Sequence, residues 1–263
     1  MPQEQILSDL LYSPKTKTGE RWIWDLKDRH KGETAFIIGN GWSAHYYDMH
    51  RIKKETNAVF IGCNKAFMKW PIDYIVWQDN NVNKLCIKAP CTKIMPHRKL
   101  KLCKNLVDYD TTYFYGFGQY QKRFHNSSLE LSNSGCVAFQ LVHYMGFETL
   151  IIVGCDCEII MVPNSLELHS NVFEDRQVSR LNMRAKNSGI RLEEVVRDGK
   201  TKYTSKGLLR FSKKFEELYG RFRDDMDIFR MGNHGILRLP TMEYEAFWSD
   251  SHPGRSDNSD RGE

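Results

Sequence analysis

Six places in this 263-residue chain carry residue types that handle phosphates, sugars or protons. Gly39-Asn40-Gly41-Trp42-Ser43-Ala44 matches the pattern G-x-G-x-x-G/A. In that pattern glycines let the backbone approach a phosphate, and the next helix start offers free N–H donors at the positive end of a dipole. A tight turn without a ligand fits the same residues. Cys63-Asn64 presents an amide able to donate to and accept from a base or ribose, or a plain turn residue. It disfavours NAD, whose fold wants Asp or Glu there for the ribose hydroxyls. Asp79 and Asp156 can each bind Mg²⁺, orient ribose or serve as a base, and each can also cap a helix. Ser134 and Gly135, within Ser132-Asn133-Ser134-Gly135, can hold a phosphate or a sugar carboxylate while also capping a helix. His169 follows the Asp156 turn, in the segment 163–175. A loop there can swing over a ligand, and its imidazole can take a proton from an acceptor hydroxyl near neutral pH. An exposed loop histidine is the alternative.

Other chemistries lack their motifs. None of the nine His stands in H-E-x-x-H, and neither Cys86-x4-Cys91 nor Cys155-x-Cys157 has a partner pair at zinc spacing. There is no G-x-S-x-G elbow and no G-x-x-x-x-G-K-[ST] loop.

The elements that must position these residues alternate. Ala35-Phe36-Ile37-Ile38 reads as a strand ending at the glycine turn, with Ser43 as N-cap of a helix through about Lys54. Ala58 to Ile61 and Asp73 to Trp77 read as the next strands, and Lys93-Ile94-Met95 as a fourth. Ser134 opens a helix whose Val137, Ala138, Leu141, Val142 and Met145 lie on one face, with Gly146 closing it. Leu150 to Val153 is a further strand, ending at Gly154-Cys155-Asp156. Helices are expected over about 174–187 and around Leu208, Phe211, Phe215 and Leu218. Alternating apolar strands and helices predict a Rossmann-like, doubly wound α/β fold: a mostly parallel sheet with helices on both faces. Ligands in such folds sit at the carboxyl ends of the strands, where Gly39, Asn40, Gly41, Asn64, Asp79 and Asp156 fall.

Apolar residues make up 41% and charged residues 27% of the chain, which excludes disordered, collagen-like and disulfide-scaffold classes. Domain organisation reads as a helical extension over 1–32, one nucleotide-binding catalytic domain over 33–248, and a polar tail over 249–263. No run reaches the roughly 18 apolar residues of a membrane span. Seven Cys, an odd number, read as reduced thiols of a cytoplasmic protein. A net charge of +5 suits an anionic ligand. Between Asp79 and Asp108 there is no acid, while Lys84, Lys88, Lys93, Arg98, Lys99, Lys101 and Lys104 fall there. That stretch is a solvated face or a basic wall for a diphosphate, an anionic acceptor or nucleic acid.

Two families share parts of this pattern. Ile37-Ile38-Gly39-Asn40-Gly41-x-Ser43, Asn64, Ser134-Gly135 and Gly146-Phe147-x-x-Leu150-Ile151-Ile152-Val153-Gly154-x-Asp156 resemble the small bacterial CMP-sialic-acid-dependent sialyltransferases. Pro71 to Asp79 is similar to the hydroxymethylpterin diphosphokinase (MptE-like) family, which includes phage-type proteins. The first resemblance implies that Asn40, Gly41, Ser43, Asn64, Ser134 and Gly135 hold the nucleotide of the donor, with His169 as base. The expectation is a glycosyltransferase moving sugar from a CMP- or UDP-type nucleotide-sugar donor to an acceptor hydroxyl, on a glycan or a modified DNA base, with no cofactor required. In it Asn64 and Asp79 read base or ribose, and His169 or Asp156 is the catalytic base. The alternatives are a diphosphokinase using ATP and Mg²⁺ on a hydroxymethyl group, with Asp79 and Asp156 as metal ligands, and a non-catalytic nucleotide-binding accessory protein.

Overall fold

A computed structural model of the chain describes residues 20–115, 133–161, 168–169 and 192–248. The expected helix over 174–187 and the tail over 249–263 lie outside the described residues. In chain order come β1 (Arg21–Trp22), β2 (Thr34–Ile38), α1 (Met49–Glu55), β3 (Val59–Cys63), β4 (Tyr74–Val76), β5 (Thr92–Pro96) and β6 (Thr112–Tyr115). Then follow α2 (Ser134–Tyr144), β7 (Thr149–Val153) and two antiparallel pairs. These are β8 (Ile160–Met161) with β9 (Leu168–His169), and β10 (Leu192–Arg197) with β11 (Lys200–Ser205). Helix α3 (Lys206–Phe222), β12 (Asp227–Met231) and β13 (Thr241–Met242) complete the core.

Among the described residues nine strands form one sheet in the order β1-β6-β5-β4-β3-β2-β7-β12-β13. All of its pairings are parallel. Beginning at β2, the chain moves outward through β3, β4, β5 and β6, then returns to β7 on the other side of β2. The direction of winding therefore reverses between β2 and β7, and in such sheets a crevice opens at that point outside the carboxyl ends.

The strand sequences explain the layering. Every residue of β2, β3 and β7 is buried, as expected of strands covered on both faces. Alternate side chains serve opposite layers. Ala35, Ile37, Val59, Ile61, Leu150 and Ile152 pack with Val137, Leu141, Phe215 and Leu218 of α2 and α3. Phe36, Ile38, Phe60, Ile151 and Val153 pack with Met49 and Ile52 of α1 and with Met242 and Phe247. Each large apolar side chain so buried contributes roughly 1.5–3 kcal/mol.

Several expectations need correction. Residues 20–32, read as helical, supply the edge strand β1 and a 3₁₀ turn over Ile23–Leu26. The helix expected after the glycine turn is split into a 3₁₀ turn over Trp42–Tyr46, which starts after Gly41, and α1, whose N-cap is Asp48 rather than Ser43. Tyr113, Phe114 and Tyr115, in none of the expected strands, lie in strand β6. The basic stretch is not one wall: Lys93 and Lys99 are buried, Lys93 donating to Thr111 Oγ1 (2.9 Å) and Lys99 to Asn83 Oδ1 (3.0 Å).

Candidate functional site

The turns after β2 and β7 meet at the point where the winding reverses. Gly39 N donates to Val153 O (2.8 Å) and Gly41 N to Gly154 O (2.6 Å). A Cβ at Gly39 would overlap the Gly154 carbonyl, and one at Gly41 would sit 2.5 Å from Asp156 Oδ2. The close approach these glycines permit here is to the turn after β7: Gly39 to the Gly154 backbone, and Gly41 to the Gly154 carbonyl and the Asp156 carboxylate. Gly154 itself has φ +66°, a conformation that glycine adopts at little cost.

Ser43 ties the two turns together. Its backbone N–H donates to Asp156 Oδ2 (2.9 Å) and its hydroxyl donates to Asp156 Oδ1. The same hydroxyl accepts from Gly154 N (3.0 Å). Asp156 thus has a bond from Ser43 on each carboxylate oxygen. Burial pushes its pKa up from the ordinary carboxylate value, and the Ser43 bonds oppose that rise. The Asp156 carbonyl accepts from Ile236 N (2.9 Å), extending the lock to the loop after β12.

A cleft of about 170 Å³ opens beside this lock. Gly39, Asn40, Gly41, Asn64, Ser134, Gly135 and Asp156 all line it, so seven residues singled out in the sequence meet in one place. Asn64 caps β3 with φ +53°, which Asn tolerates better than most side chains. Its Oδ1 accepts from Ser134 Oγ (3.0 Å) and its Nδ2 donates to Asp79 Oδ2 (3.3 Å). Asp79 therefore joins the site through Asn64, outside the lining itself. Helix α2 starts at the cleft, with Asn133 as its N-cap accepting from Cys136 N (2.8 Å). Asn40 Oδ1 is enclosed and has no hydrogen-bond donor among the described residues. Such an acceptor costs roughly 1–3 kcal/mol when unmatched, a cost that a ligand N–H or O–H would remove.

The far wall was not foreseen. Leu208, Phe211 and Phe215 of α3 line the cleft, and a Cβ at Gly135 would come within 2.7 Å of Phe215 Cζ. Their helical spacing announced an apolar face, but nothing in the spacing said what the face covers. Cys155 and Cys157 also line the cleft, their thiols held above the ordinary value by burial. Of His169 the structure gives the backbone, paired with Ile160 in the β8–β9 ribbon.

Asp79 and Asp156 were the expected Mg²⁺ ligands of the diphosphokinase alternative. They fit a metal poorly, since Asp156 is engaged twice by Ser43 and Asp79 is bonded to Asn64. Among the described residues no group of three or more His, Cys, Asp or Glu converges as a metal centre would. No helix among them is long and apolar enough to cross a membrane.

The fold and cleft define a Rossmann-like α/β protein with a ligand crevice where its winding reverses. The chain is similar in structure to the MAf glycosyltransferase from Magnetospirillum magneticum AMB-1, with a TM-score of 0.55 at 16% sequence identity. The similarity covers 89% of this chain and 39% of that one, so the chain spans about two fifths of the length of the larger protein. At this identity the likeness is one of fold. No protein-family model matches the chain, and no curated protein sequence matches it significantly.

Proposed function

We propose that this protein is a glycosyltransferase that binds a nucleotide-activated sugar in the cleft between the β2 and β7 ends. The observation that carries the reading is the meeting of Asn40, Asn64, Ser134 and the start of α2 at the crevice. Polar groups there suit a ribose and a phosphate: the amide of Asn40 has an unmatched acceptor, and the helix start favours negative charge. The apolar wall of Leu208, Phe211 and Phe215 suits the face of a base. The fold is shared with a protein described as a glycosyltransferase.

In this reading the chain contributes positioning and charge stabilisation. An acceptor hydroxyl attacks the anomeric carbon as its proton passes to a base. The bond from the anomeric carbon to the phosphate oxygen breaks, and the electron pair leaves on the nucleotide. The α2 start stabilises that developing charge. We assign the proton to His169. Asp156, with Ser43 on both oxygens, is a positioning residue that holds the two turns in register.

The test is a thermal-shift screen of the protein with CMP, UDP, ATP and their sugar conjugates, with and without Mg²⁺, followed by product analysis. Stabilisation by a nucleotide-sugar and release of CMP or UDP support the reading. ATP consumption with AMP release would establish the diphosphokinase instead, and nucleotide binding without turnover on any acceptor would establish the accessory role.

A further inference from the structure

A second, larger cavity of about 600 Å³ lies further along the same carboxyl edge, beyond the ends of β12 and β13. Both sites adjoin Asp156. The first is lined by its residue, and the second by the loop whose Gly235 packs against its backbone and whose Ile236 N–H bonds its carbonyl.

The floor of this cavity is built and fixed. Arg230, 3% exposed, donates from Nη1 to His234 O (2.7 Å) and from Nη2 to Asn233 Oδ1, holding the loop after β12 from below. Tyr47 donates to Met231 O (3.0 Å), and its hydroxyl fills the space a side chain at Gly232 would take. Above that floor Tyr46 lies against His234, ring centres 4.7 Å apart. Tyr46 is 61% exposed, so a large aromatic face is left open to the cavity mouth.

The charges on the walls nearly cancel. Arg197, Lys200 and Lys202 face Asp198, Glu243 and Glu245. Arg197 pairs with Asp198 (3.5 Å) and Lys202 with Glu158 (3.3 Å). An anionic ligand finds no surplus of cations, and an apolar one would strand these polar groups. A neutral polyhydroxylated ligand satisfies both conditions. Its C–H face stacks on Tyr46, and its hydroxyls reach donors and acceptors of either sign.

We infer that this cavity is a binding site for a neutral glycan, and, resting on the glycosyl-transfer reading, that it holds the acceptor. A volume of about 600 Å³ falls within the range of ordinary ligand sites, wide enough for a sugar ring and its neighbours. The cleft would hold the nucleotide portion, and the cavity, joined to it through the loop bonded to Asp156, would present an acceptor hydroxyl.

The experiment is saturation-transfer NMR on the whole chain with a pool of methyl glycosides of glucose, galactose and N-acetylglucosamine. Tyr46→Ala and Glu243→Gln are run beside the wild type. Nucleotide binding is measured on the same samples by calorimetry. Saturation of sugar ring protons in the wild type, weakened about tenfold in Tyr46→Ala and reduced in Glu243→Gln, supports the site. Both side chains are exposed, so a folding defect is not expected, and unchanged nucleotide binding verifies it. No saturation of any sugar in the wild type, or undiminished saturation in Tyr46→Ala, overturns the proposal. Inorganic pyrophosphate bound in a Lys200-dependent manner in place of the sugars overturns it as well. Sugar binding without nucleotide binding leaves the cavity standing and removes the transferase reading; the reverse removes the cavity alone.

Discussion

Ser43→Ala is the sharpest probe of how the crevice is held. The hydroxyl is buried and makes two bonds, one donated to Asp156 Oδ1 and one accepted from Gly154 N at 3.0 Å. Losing a bond to a carboxylate costs roughly 1.5–3 kcal/mol, and stranding the buried Gly154 N–H roughly 1–3 kcal/mol. With some relaxation and water access at Asp156, the sum is about 3 kcal/mol, or a fall in Tm of roughly 6–12 °C. The pH dependence follows from Asp156, whose pKa burial raises above the ordinary carboxylate value. Between those two values the native state binds more protons than the unfolded chain, so stability falls as pH rises through that window. Ser43→Ala removes a bond that opposes the rise, extending the window upward. The variant's deficit should therefore be largest at neutral pH and shrink as acid protonates Asp156. Urea unfolding at neutral and mildly acid pH, with nucleotide titrations alongside, reads all of this. A deficit below about 0.5 kcal/mol, the size of an ordinary surface substitution, would refute the lock.

Other outcomes follow from the same geometry. Asn64→Gly and Asn64→Ala both delete the bridge from Ser134 to Asp79 and should weaken nucleotide binding alike, about tenfold. Alanine should cost about 1 kcal/mol more stability than glycine, because φ is +53° there; equal urea midpoints would contradict this. Gly135→Ala should destabilise by about 1–3 kcal/mol by driving a methyl into Phe215, and Gly135→Ala combined with Phe215→Leu should recover part of the loss in thermal melts. His169→Ala should leave nucleotide affinity intact and slow transfer by about 10²-fold or more in a product-release assay; wild-type turnover would take it out of the mechanism. Burial pushes the Cys63 and Cys86 thiols up to about 12 and Cys91 to about 11. Iodoacetamide at mildly alkaline pH should thus label them only as the protein unfolds, with rapid native labelling the contrary result.

The parts of the architecture most visible in the sequence were those governed by local pattern. Strands β2, β3, β4 and β7 read directly as apolar runs because both faces of each are covered, and their ends carry Gly, Asn and Asp, which turns require. Seven site residues fell into one cleft because a parallel sheet delivers strand ends to one edge. Strand β12 passed unread, since Asp227 and Arg230 interrupt its apolar run; Arg230 is accommodated there by loop contacts that no local rule displays. Ser43 looked like a helix cap because Ser usually is one near a helix start, yet its partner, Asp156, stands 113 residues away. The wall of α3 was legible as amphipathic but not as a lining, for the same reason: periodicity gives a face, and only the fold gives what the face meets.

Among the described residues, the two outermost strands of the sheet, β1 and β13, are two residues each. A long bare margin invites another polypeptide to add on by main-chain pairing, the route to runaway association. Here a visiting chain finds a stub on either side, too brief to template more than a bond or two. Among the described residues the width of the sheet therefore ends in remnants rather than in long open seams.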